Sequence, residues 1–194
     1  MLRIRNDLEV VEILRKEKSH VRKIASILKT TPSTVSRTLK NLEKEKVVNY
    51  KTEGKNKVYY LKDTVEAKTY LDLTENYKLL KAMQNPILRR IITTLKNQTN
   101  ELVILFGSFA KGTNTENSDI DIYTESKQTF QNLPENVRIT NANLDKNIIL
   151  KKEIEKDHVI IQDVEKYNQL MQDERSQVHK GVNEESSYKN KKAE

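Results

Sequence analysis

Residues 102–123 have the sequence LVILFGSFAKGTNTENSDIDIY, and this stretch decides the fold of the C-terminal half. The continuous apolar run at residues 102–106 predicts a short strand that is buried on both faces. Gly107 and Gly112 follow it, and they are two of only four glycines in the chain. Their clustering indicates special backbone demands directly after the strand. Residues 118–123 then predict a second strand, whose isoleucines point into the core.

The polar residues of this stretch point to phosphate and a cation as ligands. Backbone N–H groups exposed at the Gly107 turn attract phosphate, Ser108 adds a hydroxyl donor and Lys111 adds a positive charge. Residues i and i+2 of a strand face the same side, so Asp119 and Asp121 point together and repel each other unless a cation lies between them. Oxygen ligands without His or Cys favour Mg²⁺ or Mn²⁺ over Zn²⁺. The pattern therefore predicts a nucleoside triphosphate with its metal; the alternative is a capped turn beside an exposed strand.

The spacing of Gly107-Ser108, ten residues and Asp119-Ile120-Asp121 resembles the signature of nucleotidyltransferases of the DNA polymerase β superfamily. The resemblance covers about residues 85–163. It implies a mixed β-sheet packed by helices, in which Gly107 and Ser108 hold the triphosphate and the two aspartates are catalytic residues that bind two Mg²⁺ ions. Lys111 and Ser118 complete the predicted nucleotide-binding set.

The same resemblance implies a reaction: transfer of a nucleoside monophosphate from a triphosphate, expected to be ATP, to a hydroxyl acceptor. The small size resembles minimal nucleotidyltransferases, which include antitoxins that adenylylate HEPN-domain toxins. One feature departs from the family pattern. Members of the family usually carry a third carboxylate on a later strand. That strand is predicted at residues 136–140, and the expected position holds Arg138 or an uncharged neighbour. The alternative is therefore a regulator whose weakened transferase domain senses nucleotide without turnover.

The N-terminal third is strongly basic and patterned as three helices and a hairpin. Residues 1–62 hold 16 of the 35 Lys and Arg residues but 7 of the 28 Asp and Glu residues, a balance expected for a nucleic-acid partner. The spacing of apolar residues predicts a first helix that begins near Asp7. A second helix is predicted with Ser19 as its N-cap, and a third with Thr31 as its N-cap before a proline. Alternation around Gly54 predicts two strands. This segment resembles winged helix-turn-helix DNA-binding domains of archaeal and bacterial regulators, and protein docking is the alternative.

The predicted DNA contacts lie on the third helix and at the tip of the hairpin. The N-terminal half of a recognition helix meets base edges, and basic side chains further along meet phosphates. Helix-turn-helix proteins commonly bind paired half-sites, so a homodimer is compatible with this prediction. The predicted residues are Ser33, Thr34, Ser36, Arg37, Lys40, Lys44 and Lys55.

The chain is therefore predicted to be α+β, with an N-terminal winged helix-turn-helix and a small nucleotidyltransferase domain. The predicted divisions are a DNA-binding domain at 1–62, a helical connector at 63–84, the nucleotidyltransferase-like domain at 85–171 and a disordered tail at 172–194. The absence of Cys excludes disulfides and thiol chemistry. No apolar run is long enough to cross a membrane. A cytoplasmic location is expected.

Overall fold

The computed structural model describes residues 2–171. The chain divides into two units, Met1–Gln84 and Asn85–Glu194. Each has its own hydrophobic core, and the architecture is α+β, as predicted. The tail predicted at residues 172–194 lies outside the described residues.

The first unit is a winged helix-turn-helix, which confirms the predicted helices and hairpin. Its strands form an antiparallel sheet in the order β1-β3-β2, and the β2–β3 hairpin is the wing. The elements in chain order are α1 (Asn6–Lys16), β1 (Ser19–His20), α2 (Val21–Ile27), α3 (Pro32–Lys44), β2 (Val48–Glu53), β3 (Asn56–Leu61) and α4 (Val65–Ala82).

The caps of α2 and α3 confirm one prediction and correct another. The Thr31 hydroxyl accepts a hydrogen bond from the Thr34 backbone N–H at 3.2 Å, so Thr31 caps α3 as predicted. The prediction that Ser19 caps α2 is wrong. Ser19 is buried and pairs with Tyr59 in the sheet, and the next residue caps the helix instead: the ring Nδ1 of His20 accepts from the Lys23 N–H at 3.2 Å.

The apolar stripes of the first three helices meet in one core. Val11, Ile24 and Leu39 are fully buried there, with Val35 and Leu42 of α3 beside them. The apolar face of α3 is thereby fixed against the unit, and its polar face is exposed.

The residues predicted as a connector, 63–84, form α4, which packs against α1 within the first unit. Thr64 caps this helix and also donates to the Lys46 carbonyl at 2.9 Å. The largely buried Arg15 on α1 contacts Glu75 on α4 at 3.4 Å, which ties the two helices together.

The second unit is a mixed four-stranded sheet with helices packed on it. Its strand order is β6-β5-β4-β7, with β4 antiparallel to both neighbours and β5 parallel to β6. The elements are α5 (Pro86–Gln98), β4 (Val103–Phe106), α6 (Gly107–Lys111), β5 (Ile120–Thr124), β6 (Val137–Thr140), α7 (Ile148–Lys156) and β7 (Val159–Gln162), followed by helical residues 164–171.

The central strand β4 is buried along its whole length, as its apolar run predicts. Ile104 and Phe106 pack with Ile154 of α7 in the core of the unit. The first strand position after the loop, Ile120, and the alternating Ile122 are both fully buried. Asp121 alternates with them along the strand, and it is in register with Phe106 at the end of β4, where α6 begins.

Candidate functional site

The turn from β4 into α6 touches the carboxylate of β5. Gly107 has a φ of +70°, a conformation that favours glycine. A Cβ at Gly107 would collide with the carboxylate of Asp121, whose backbone lies in register with Phe106 on the adjacent strand. The structure thus brings together the predicted phosphate-binding turn and the second aspartate of the predicted cation pair.

Arg138 lies on the other side of the aspartates. Strands β5 and β6 are parallel, with Asp121 in register with Arg138. The Nη2 of Arg138 donates to Oδ2 of Asp119 at 2.7 Å. The arginine side chain is 70% exposed and that of Asp119 is 37% exposed. The β6 position in register with Asp121, one of the candidates for the third carboxylate, therefore holds a cation.

The electrostatics of Asp121 show a surplus of negative charge. Partial burial raises the pKa of the Asp121 carboxyl above its usual 3.8, and the charge of Asp119 raises it further. The nearby charges of Arg138 and Lys111 oppose this effect, and that of Glu153 adds to it. Ionisation of Asp121 is thus less favourable than in water, and a bound cation would offset this effect.

Lys111 is held near the site by a residue that the sequence analysis missed. Its Nζ lies 3.6 Å from Oε1 of Glu153, which is on α7. The signal for Glu153 was absent from the sequence, because acidic residues at helical spacing normally lie on a solvated face. Ser108 is half-buried in the first turn of α6.

The last predicted nucleotide-binding residue, Ser118, belongs to the loop before β5. Its Oγ accepts a hydrogen bond from the Thr115 backbone N–H at 2.8 Å. This bond closes the turn that leads into Asp119. Gly112 ends α6 with a φ of +69° and starts the same loop.

The number of carboxylates at the site decides how many metal ions it can bind. Mg²⁺ binds one or two protein carboxylates and completes its shell with water and phosphate oxygens. Asp119 and Asp121 supply two carboxylates, which is the number that one such ion takes from a protein, and Asp119 is also paired with Arg138. Among residues 2–171, no group of three or more Asp, Glu or His side chains is arranged to hold a metal. The ligand set that the resemblance implies for two ions is therefore incomplete in the described chain.

The residues predicted to contact DNA lie on α3 and at the tip of the wing, and most of them are exposed. On α3, Ser36, Arg37, Lys40 and Lys44 are exposed, and Lys55 is exposed at the tip of the wing. Two other predicted residues take part in the cap: the hydroxyls of Ser33 and Thr34 each lie 2.9 Å from the Thr31 hydroxyl.

One wing residue was not predicted. Lys57 places its Nζ 3.7 Å from the centre of the Tyr50 ring on the paired strand. This cation–π contact holds a positive charge on the exposed part of the hairpin.

The described part of the chain includes no helix that is long and apolar enough to cross a membrane.

These features define a class: a two-unit protein with a winged helix-turn-helix and a sheet that carries a glycine-serine turn beside paired aspartates. The family described as "Nucleotidyltransferase domain" matches residues 88–190, more than half of the chain, and the chain belongs to this family. The family described as "Bacterial regulatory protein, arsR family" matches residues 6–50, which lie within the winged helix-turn-helix unit. No curated protein sequence matches the chain significantly.

Solved structures with a winged helix are distantly similar. The homodimeric winged helix-turn-helix domain (fragment 1–100) of Mb0332 from Mycobacterium bovis, a possible ArsR-family regulator, is 18% identical, with a TM-score of 0.32 over 41% of this chain and 69% of that one. Lactococcus lactis ZitR, a zinc-responsive MarR family member, is 17% identical, with a TM-score of 0.31 over 50% and 74%. The transcriptional regulator SlyA is 19% identical, with a TM-score of 0.35 over 47% and 72%. Similarities this low do not extend a relative's function to this chain.

Proposed function

We propose that the second unit binds a nucleoside triphosphate with a divalent cation and transfers the nucleoside monophosphate to a hydroxyl acceptor. The observation that carries this proposal is the close approach of the Gly107 turn to the Asp121 carboxylate. This approach supports the proposal, because the turn predicted to bind phosphate lies beside Asp121, one of the two predicted cation ligands. ATP is the expected triphosphate, and Mg²⁺ or Mn²⁺ is the expected ion.

In this reaction the acceptor hydroxyl oxygen forms a bond to the α-phosphorus, and the bond from that phosphorus to the α,β-bridging oxygen breaks. Pyrophosphate leaves with the bonding electrons, and the hydroxyl proton passes to water. The backbone N–H groups at Gly107-Ser108 and the Lys111 ammonium bind phosphate oxygens and orient the α-phosphorus. Asp119 and Asp121 hold the cation, which neutralises phosphate charge when it is bound.

The test is label transfer from α-labelled ATP, with the wild type compared with the Asp119→Asn/Asp121→Asn double variant. A matched control is Glu101→Gln, because Glu101 is an exposed acid just before the opposite end of β4. We expect transfer by the wild type and the control but not by the double variant. Equal labelling by all three proteins would refute the proposal.

A nucleotide sensor without transfer is the second candidate, and the position of Arg138 favours it. Because β6 supplies a guanidinium opposite Asp121, the third carboxylate that would help to deprotonate the acceptor is replaced. Two results together would favour the sensor over the enzyme. The wild type would bind ATP in a way that depends on Asp121, and its labelling would be no greater than that of the double variant.

We further propose that the first unit binds DNA and that the chain regulates transcription, with two copies meeting paired half-sites. The exposed basic side of α3 and the wing supports this. DNA binding also supports the expected cytoplasmic location. In the narrower antitoxin hypothesis, the acceptor hydroxyl belongs to a HEPN-domain toxin. Labelling of such a toxin by the wild type, and not by the double variant, would support it.

A further inference from the structure

Arg138 is placed to contact whatever the paired aspartates bind. Its backbone is in register with Asp121, and its guanidinium reaches across to Asp119 at 2.7 Å. Side chains at registered positions of neighbouring strands project from the same face of a sheet. The cation on β6 and the carboxylates at the start of β5 therefore form one surface.

The Arg138 guanidinium can donate further hydrogen bonds in addition to this ion pair. An arginine carries five N–H donors in a planar fork that suits phosphate oxygens, and the contact with Asp119 is made through Nη2. The side chain is 70% exposed, so a ligand can reach the other donors without unfolding any element.

The balance of charge favours a phosphate at this position over a second metal. Three carboxylates (Asp119, Asp121 and Glu153) and two cations (Arg138 and Lys111) influence the site. With a carboxylate on β6, the site would be more negative, and it would need a further metal ion to bind a triphosphate. With arginine there, one divalent ion and two side-chain cations face the phosphates.

We propose that Arg138 binds a phosphate oxygen of the nucleotide and supplies the positive charge that a second divalent ion would otherwise supply. This inference rests on the triphosphate site proposed above. The nucleotide would share the guanidinium with Asp119, and the two aspartates would hold a single metal ion.

The first test is the affinity of the full chain for α,β-methylene-ATP with Mg²⁺, measured by calorimetry. Losing a charge-assisted hydrogen bond to phosphate should weaken binding by about 10- to 100-fold in Arg138→Gln. Arg138→Lys should fall between this variant and the wild type. The matched control, Arg90→Gln, removes an exposed arginine on α5 and should bind as the wild type does.

The second test counts Mn²⁺ ions per bound nucleotide by electron paramagnetic resonance. We expect one ion for the wild type and two for Arg138→Asp, which restores a carboxylate on β6. Arg138→Gln binding as tightly as the wild type, or more tightly, would overturn the inference, because the arginine would then only neutralise Asp119. Two ions in the wild type would also overturn it. Either result leaves the proposed function standing, whereas the absence of any nucleotide binding by the wild type refutes both.

Discussion

Substitution of Gly107 by alanine tests the central geometry of the site. At this position an alanine must adopt a φ near +70°, and its Cβ must displace the Asp121 carboxylate. We expect two losses: a lower free energy of unfolding for the second unit, and weaker nucleotide binding, because the displaced carboxylate no longer meets the turn.

The magnitude follows from comparison with a second glycine. A left-handed conformation costs a non-glycine residue about 1–2 kcal/mol. Gly112 has nearly the same φ, +69°, but a Cβ there meets no atom within 4 Å. Gly112→Ala should therefore lose only that amount. Gly107→Ala should lose about 1.5–3.5 kcal/mol, because moving Asp121 away from its rotamer adds roughly 0.5–1.5 kcal/mol.

The assay is urea unfolding of the full chain followed by circular dichroism, with nucleotide affinity measured on the same proteins. Gly54→Ala in the wing, where φ is +58° and the space is open, identifies the transition of the first unit. Equal stability and equal nucleotide affinity for Gly107→Ala and Gly112→Ala would refute the reasoning, because the contact with Asp121 would then have no consequence.

Three further predictions address charge, capping and DNA. The raised pKa of Asp121 contributes stability that is present below pH 3.8 and is lost as pH rises through the folded-state pKa, so Asp121→Asn should be more stable than the wild type at neutral pH. Urea unfolding from pH 3 to 8 checks this, and a constant difference across that range would contradict it. Thr31→Ala should lose about 1 kcal/mol in the thermal unfolding of the first unit through loss of the α3 cap, and no change would contradict the capping role. Lys40→Gln should weaken DNA binding for every sequence and reduce the slope of log affinity against log salt by about 1, measured by fluorescence anisotropy; Lys146→Gln in the other unit is the control, and an equal effect of both would refute the α3 interface.

Helices and strands with strong periodicity could be predicted from the sequence, since burial follows the same spacing. The stripe of Val35, Leu39 and Leu42 predicted α3 and its exposed side together. Ser19 failed as a cap because two adjacent polar residues can each cap a helix, and only pairing with Tyr59 in β3 decides between them. On α4, Leu73 and Leu80 fit a helical pattern but are about half exposed. Local spacing carries no information about which face of that helix meets α1.

Part of the candidate site could likewise be predicted from the sequence, and part of it could not. Asp119 and Asp121 are two residues apart, so strand geometry predicts a shared direction for them, although β5 begins only at Ile120. The ion pair between Asp119 and Arg138 depends on the parallel pairing of β5 with β6, a long-range register that no local pattern encodes. Glu153 is separated from Lys111 by two strands, and its approach depends on how α7 packs on the sheet.

Two energetically unfavourable features of this site, one at Gly107 and one at Asp121, support the presence of a ligand. Gly107 adopts a left-handed conformation, and the carboxylate of Asp121 leaves no room for a side chain there. Asp121 is partly buried beside the like charge of Asp119, so its ionised form is less favourable than in water. A strand that served only for stability would gain from an uncharged residue at position 121. A left-handed glycine against a carboxylate whose ionisation is disfavoured is typical of a site whose energy is recovered on binding. A cation carrying a phosphate-rich ligand offsets both costs, because the metal relieves the repulsion and the open turn accepts the phosphate.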